Sequence, residues 1–210
     1  MKYLKMLGLA VVAAMALSAF LGAGSASATV LCKTYVTPCP AAWDYPAGTE
    51  IDASLAKGSS AVLSSTSGTV LNTCTDSTFK GKTTNTGGAA ETVDGNVESM
   101  TFANCSSSIA VLALGKFEIH YVGPKTSGAL TFIGSKATML TFGVDCIYGT
   151  GSGTQVGVMT SEEGMENAEA DVEAILAREE GSLRCPNTIS WKAKYVITTP
   201  KPLYFKEKTA

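Results

Sequence analysis

The stretch NAEADVEAILAREEG, from Asn167 to Gly181, decides between an all-β and a mixed fold, because it fits two secondary structures. Its alanine, glutamate and leucine content favours a helix, and Ala168, Val172 and Ile175 would share one helical face. Acidic and apolar residues also alternate strictly from position 169 to position 174, which is the pattern of a half-buried strand.

The segment ISWKAKYVIT, from Ile189 to Thr198, alternates in the same way and can pair with the first stretch. One antiparallel register gives four cross-strand pairs: Glu173 with Lys192, Asp171 with Lys194, Val172 with Ala193, and Ala174 with Trp191. Opposite charges then meet on one face and apolar side chains meet on the core face. We therefore predict a hairpin with Cys185 in its connection, and we keep a helix near 165–178 as the alternative.

The rest of the chain after position 28 is broken by turn-forming clusters about every ten residues: KGSS, NTGGAA, VDGN and GTGSG. Alternation in KFEIHYV places Phe117 and Ile119 on one face. In LTFGVDCIY, read as a single strand, Phe142 shares a face with Cys146, and both should point inward. Shorter strand signals lie at 51–55, 61–65, 69–75, 98–102, 109–114 and 154–160. The pattern predicts an all-β, disulfide-linked antiparallel β-sandwich, with an Ig-like or a jelly-roll-like topology.

The N-terminal segment has the features of a secretory signal peptide. Lys2 and Lys5 precede an uncharged run, and small residues lead up to Ala28. We predict cleavage after Ala28, which gives a signal peptide at 1–28 and a single secreted β domain at 29–210. No later segment is long and apolar enough for a membrane span.

All six cysteines follow the predicted cleavage point: Cys32, Cys39, Cys74, Cys105, Cys146 and Cys185. An even number of cysteines in an exported chain indicates disulfides, and we expect sequential pairing, although 15 connectivities are open. Metal binding and redox catalysis are less favoured, because no C-x-x-C is present and His120 is the only histidine. Cys32 follows Leu31, which is a poor context for a lipid anchor.

Charge and motif content narrow the classes of function. Loss of Lys2 and Lys5 with the signal changes the net charge from −2 to −4, which argues against nucleic acid as a partner. His120 alternates with the apolar face of its strand and is expected in solvent, and no G-x-S-x-G is present. GKT at 81–83 and GTGSG at 149–153 lack the context of phosphate-binding loops and are interpreted as loops or turns. We therefore assign no catalytic residue, no cofactor and no metal.

Two acidic sets leave alternatives open. Carboxylates that could act in pairs, as in glycosidases, are scattered along the chain: Asp44, Glu50, Asp52, Asp76, Asp94, Glu118 and Asp145. The acids of SEEGMENAEADVE could gather calcium but lack the usual loop order.

The tail TTPKPLYFKEK could bind an acidic surface or carbohydrate, although lysine and proline there favour a protected terminal edge strand.

Several motifs together resemble a group of small secreted actinobacterial six-cysteine proteins of uncharacterised function. The motifs are LCK and PCP before YPAGT at the start, TCT and TFANC in the middle, and CP, W and TTPKPLY at the end. The Thr/Gly-rich strands with spaced cysteines are also similar, more faintly, to the secreted family of activators of alkane oxidation. The first resemblance supports the hairpin, and neither resemblance implies a catalytic residue.

We therefore expect a non-catalytic structural or binding module of the cell envelope or extracellular space. The alternatives are an extracellular hydrolase that uses paired carboxylates and a surface-filament subunit that assembles by strand addition from edge strands at both ends. A cell-surface component or a second copy of the chain is the partner that these hypotheses imply.

Overall fold

The structure is a computed structural model that describes residues 28–89, 91–123 and 126–208. Apart from Ala28, the predicted signal peptide lies outside the described residues. The described chain forms fourteen β-strands and a short 3-10 helix at Ala41–Trp43. The strands are β1 Thr29–Cys32, β2 Glu50–Leu55, β3 Ala61–Ser65, β4 Val70–Thr83, β5 Val93–Cys105, β6 Ile109–Ala113, β7 Lys116–Tyr121, β8 Ser127–Ile133, β9 Lys136–Thr141, β10 Val144–Gly149, β11 Thr154–Thr160, β12 Glu169–Gly181, β13 Thr188–Thr199 and β14 Tyr204–Glu207.

Twelve of these strands form one antiparallel sheet that closes on itself. The long strands β4, β5, β12 and β13 each occupy a position alone. Each remaining position holds two short strands in line, namely β2 with β3, β6 with β7, β8 with β9, and β10 with β11. Since β13 pairs with β12 on one side and with β2 and β3 on the other, the hydrogen-bonded ring is continuous at this point.

The predicted antiparallel β-sandwich is confirmed, with both faces supplied by this closed sheet. Phe79 of β4 stacks on Phe132 of β8 at a centroid distance of 5.5 Å, so side chains from strands that are not neighbours meet across the interior. Successive positions along the chain are adjacent in the ring, which is a meander. The strand order is therefore neither Ig-like nor jelly-roll-like, because both of those use Greek-key connections.

The hairpin predicted for 167–198 is confirmed in its register. Glu173 pairs with Lys192 and Ala174 pairs with Trp191, as the alternation of charge indicates. Ala174 and Trp191 are buried, and the Lys192 Nζ lies 2.5 Å from the Glu173 Oε1 on the outer face. The helical alternative near 165–178 is wrong, because residues 169–178 lie in β12, where Ala170, Val172 and Ala174 are buried at alternate positions and Ile175 is 54% exposed.

A two-stranded sheet of β1 and β14 packs at one end of the closed sheet. The Phe205 ring lies against Gly128 at the start of β8, and the Thr29 hydroxyl accepts a hydrogen bond of 2.8 Å from the Tyr121 backbone N–H. Phe205 is fully buried. The terminal strand expected in the tail is therefore present, and its partner is the first strand of the described chain.

Three disulfides join the cysteines in the predicted sequential pairs. Cys32–Cys39 joins the end of β1 to the segment that follows it. We call the end of the molecule that carries the β1–β14 sheet the ribbon end. Cys74–Cys105 joins β4 to β5, and Cys146–Cys185 joins β10 to the β12–β13 connection, both towards the opposite end. Within 28–89, 91–123 and 126–208, no helix has the length and apolarity of a membrane span.

Three local predictions are wrong. LTFGVDCIY is two strands, because Phe142 and Gly143 adopt positive φ angles of 52° and 74° and form the turn between β9 and β10. Phe142 is consequently 62% exposed, whereas Cys146 is buried as expected. VDGN at 93–96 lies within β5, and the GKT at 81–83 lies within β4 and not in a loop.

Candidate functional site

The interior of the closed sheet contains two adjoining cavities with volumes of about 40 and 50 Å³. The first lies towards the ribbon end, between residues such as Ile51, Ile119 and Ile197. The second lies towards the opposite end. Met100, Phe132 and Trp191 line both cavities and form the wall between them. The alternation of each strand puts apolar residues at these inward positions.

Aromatic rings shape the first cavity. Phe79 packs edge to face on Phe117 at 5.9 Å and stacks on Phe132. Phe117 in turn fills the space that side chains at Gly81 and Gly95 would occupy. Glycine at these positions therefore lets a large ring lie flat against the strands, and the ring sets the width of the cavity.

Tyr195 places a hydroxyl in the first cavity wall, and this hydroxyl is already satisfied. It lies 2.8 Å from the Ser77 Oγ, which donates its own proton to the Thr101 carbonyl at 2.7 Å. The Tyr195 hydroxyl therefore donates to Ser77. Burial raises the pKa of Tyr195 to about 12. The phenol is thus neutral at physiological pH and fixes the orientation of its ring.

Trp191 presents the one unsatisfied polar atom in the cavity walls of the described chain. Its side chain is 6% exposed, and its indole Nε1 has no hydrogen-bond partner. Phe102 and Tyr195 meet the indole edge to face at centroid distances of 5.9 and 6.5 Å. A buried N–H without an acceptor carries a desolvation cost of about 1–3 kcal/mol.

Apart from the Trp191 indole, which both cavities share, the polar side chains of the second cavity have partners. The Ser135 hydroxyl donates to the Leu114 carbonyl at 2.6 Å, and the Ser135 backbone N–H donates to the Thr150 hydroxyl at 3.0 Å. Lys136 is paired with Glu179, and hydrogen bonding to that carboxylate raises the pKa of Lys136. No net charge is therefore left uncompensated in this wall.

The closed sheet has a gap beside the second cavity, which we call the β5–β6 seam. Only the first part of β5, 93–96, pairs with β7, while β6 pairs with β9 and forms no ladder with residues 98–105 of β5. The inward side chains along the seam are half-buried: Met100, Phe102, Ile109, Val111 and Ala113. By contrast, Val93 in the paired part of β5 and Val97 directly after it are 1% and 5% exposed. The inward side chains are therefore more exposed to solvent along the seam than near the start of β5.

The predicted candidate acids lie outside the cavity walls. Glu50 and Asp52 stand opposite Lys82 and Lys80 in the register of β2 and β4, and Asp44 pairs with Lys208. Asp76 and Asp145 lie in β4 and β10 opposite Ala103 and Leu140. Asp94 and Glu118 are brought opposite each other on β5 and β7, but they face away from Val93 and Phe117, which point into the core.

The remaining candidates are the acids considered for calcium and His120, and they do not form a metal site in the described ranges. Glu169 pairs with Lys194 at 2.7 Å and Glu166 with Lys201 at 3.5 Å, so two acids of the segment considered for calcium are neutralised by lysines. In the described ranges, no three His, Cys, Asp or Glu side chains gather as metal ligands. His120 lies on β7 opposite Ala129.

The tail aromatics Tyr204 and Phe205 are buried, not displayed for a carbohydrate. Lys206 is buried as well, with its Nζ 4.2 Å from the Tyr35 ring centre and 2.9 Å from the Thr37 hydroxyl. Burial lowers the pKa of Lys206.

Sequence reasoning assigned Trp191 to the core face but did not identify the cavity or the seam. Both depend on how far distant strands separate, which local alternation does not encode. A signal was present in the small residues Ala53, Ala113, Ala137 and Ala170 at inward positions, because they leave volume unfilled. Comparison of the chain with protein-family models, curated proteins and solved structures finds no match.

Proposed function

We propose that the protein is a secreted, non-catalytic binding module that takes a small apolar molecule into the interior of its closed sheet. The observation that carries the proposal is the pair of apolar cavities behind the β5–β6 seam, with half-buried inward side chains along it. Ligand sites are typically concave and mostly apolar with a few polar groups.

Export is supported by the signal-like N-terminus and by the three disulfides, which persist in oxidising compartments. Binding is favoured over hydrolysis because the walls of the cavities contribute apolar contacts, whereas the candidate acids face solvent or lysines. The closed hydrogen-bonded sheet provides a rigid container, since most strands have a partner on both sides.

Access to the cavities depends on the seam and on Met100. Methionine is unbranched and has three rotatable bonds, so the side chain can change rotamer with little cost. Met100 is half-buried at the seam and separates the two cavities. Its movement would join the two volumes and admit a ligand larger than either.

The test is a titration of the oxidised protein, residues 29–210, with methylenecyclopentane, observed through methionine methyl resonances. We expect saturable shifts at Met100, Met139 and Met159, which line the cavities, and none at Met165, which lies outside them. Non-saturable shifts, or equal shifts at Met165, would contradict the proposal.

A matched pair of variants locates the site. Ala113→Leu adds volume on the inward face of β6 and should weaken binding at least tenfold, whereas Ala110→Leu adds the same side chain to the exposed face of that strand. Ala110→Leu should bind as the parent protein does. Equal affinities for the two variants would place the probe elsewhere.

A further inference from the structure

We infer that the ligand is a neutral molecule with an apolar body and one hydrogen-bond acceptor, which accepts a hydrogen bond from the Trp191 indole N–H. This inference rests on the proposed function and names the class of ligand. It follows from the state of each polar atom around the two cavities.

The Trp191 indole Nε1 is the atom that requires an acceptor. Five buried side-chain polar atoms lack a partner in the described chain, and of these only the Nε1 belongs to a residue that lines the cavities. Native proteins leave few buried donors unsatisfied, and tryptophan N–H groups usually find a partner when buried. Trp191 lines both cavities, so this unpartnered donor belongs to the wall between them.

Neighbouring protein groups do not supply that acceptor. The Nε1 makes no hydrogen bond to a protein group, and the Tyr195 hydroxyl beside it is oriented as a donor to Ser77. Phe102 offers only its ring. A lone water would be poorly held, because a buried water normally makes two to four hydrogen bonds and the wall of the first cavity is almost entirely apolar.

The charge and size of the ligand follow from the same walls. Lys136 is neutralised by Glu179, so an ionised ligand would lose its hydration without a free counter-charge. Each cavity is smaller than the roughly 150 Å³ that accommodates benzene. Together the two cavities hold about 90 Å³, which is still less, so a ligand of ring size needs both cavities and the volume that Met100 occupies, with its acceptor beside Trp191.

The experiment compares two probes of nearly equal shape, cyclopentanone and methylenecyclopentane, which differ in whether they carry an acceptor. With the native protein, cyclopentanone should shift the Trp191 indole Nε1–H resonance downfield, and methylenecyclopentane should not. The exposed Trp43 serves as the internal reference for both probes.

The variant Trp191→Phe should weaken cyclopentanone binding at least fivefold relative to methylenecyclopentane binding, because the ketone oxygen would then be buried without a donor. Trp43→Phe should leave this ratio unchanged. If Trp191→Phe does not fold, the indole resonance of the native protein still decides.

Saturable binding of both probes, with an unshifted indole resonance and an unchanged ratio in Trp191→Phe, would overturn the inference and leave the proposed function in place. Failure of both probes to bind at the cavity methionines would overturn both.

Discussion

Asp94 of β5 and Glu118 of β7 stand directly opposite each other in the strand register. Asp94 is held in place by Thr92, whose hydroxyl donates to the Asp94 Oδ1 at 2.5 Å, and by Asn85, whose amide donates to the Oδ2 at 3.1 Å. Like charges directly opposite on adjacent strands repel each other. The hydrogen bonds therefore stabilise an arrangement that the charges alone disfavour.

Glu118→Gln should raise the free energy of unfolding by about 0.2–1 kcal/mol at neutral pH, because it removes the repulsion with Asp94. Urea denaturation measures the change. Glu50→Gln is the matched control, since Glu50 faces Lys82 and its neutralisation should lower stability slightly. A loss of stability in Glu118→Gln would show that Glu118 makes a favourable interaction.

Removal of Cys146–Cys185 should destabilise the protein more than removal of Cys32–Cys39. The first closes a sequence separation of 39 residues and the second closes one of 7. The chain-entropy model gives losses of about 4 and about 2.5 kcal/mol. Denaturation of the two double alanine variants measures these losses, and the two can be compared directly because all four cysteines are buried. Equal losses of stability would contradict the entropic account.

Alkaline pH should reveal the buried Tyr195. Burial raises its pKa to about 12 in the folded protein, while an unfolded tyrosine titrates near about 10. The unfolded state thus loses the proton first, so the contribution is complete below about pH 10 and is lost as pH rises through about 12, a fall of about 2–3 kcal/mol.

Tyr195→Phe carries no titrating hydroxyl, so the decline of unfolding free energy between about pH 10 and about pH 12 should be shallower than in the native protein. Parallel denaturation series for the two proteins provide the measurement. Identical slopes would show that Tyr195 does not titrate on unfolding.

Gly95→Ala should be strongly destabilising, because the added Cβ would lie 2.1 Å from the Phe117 Cζ and 2.7 Å from the Lys82 carbonyl oxygen. Overpacking of this kind typically costs about 1–3 kcal/mol. Gly88→Ala is the control, since its Cβ would meet only the flexible Glu91 side chain. Thermal unfolding of both variants tests the expectation, and similar melting temperatures would refute it.

Alternation of charge predicted the β12–β13 register because each pair of that ladder supplies independent information. Glu173 and Lys192 exclude a slip of one residue, since a slip would place charges on the core face. The cysteine pairing was also predictable, because each pair joins two segments that lie close to each other in the order of the chain.

The β9–β10 turn was not predictable from alternation. The apolar sequence continues across Phe142 as if the strand did not end, and only the positive φ of Phe142 and Gly143 reverses the chain. The candidate site was missed for a different reason. The Trp191 donor and the β5–β6 seam become apparent only when strands far apart in sequence are brought together.

Pairing of Thr29 with Glu207 brings the two ends of the described chain side by side. The seam lies towards the other pole of the molecule, where Cys74 and Cys105 are joined. A tether or fusion attached through either terminus would therefore lie at the ribbon end and leave the β5–β6 seam unobstructed at the far end of the molecule.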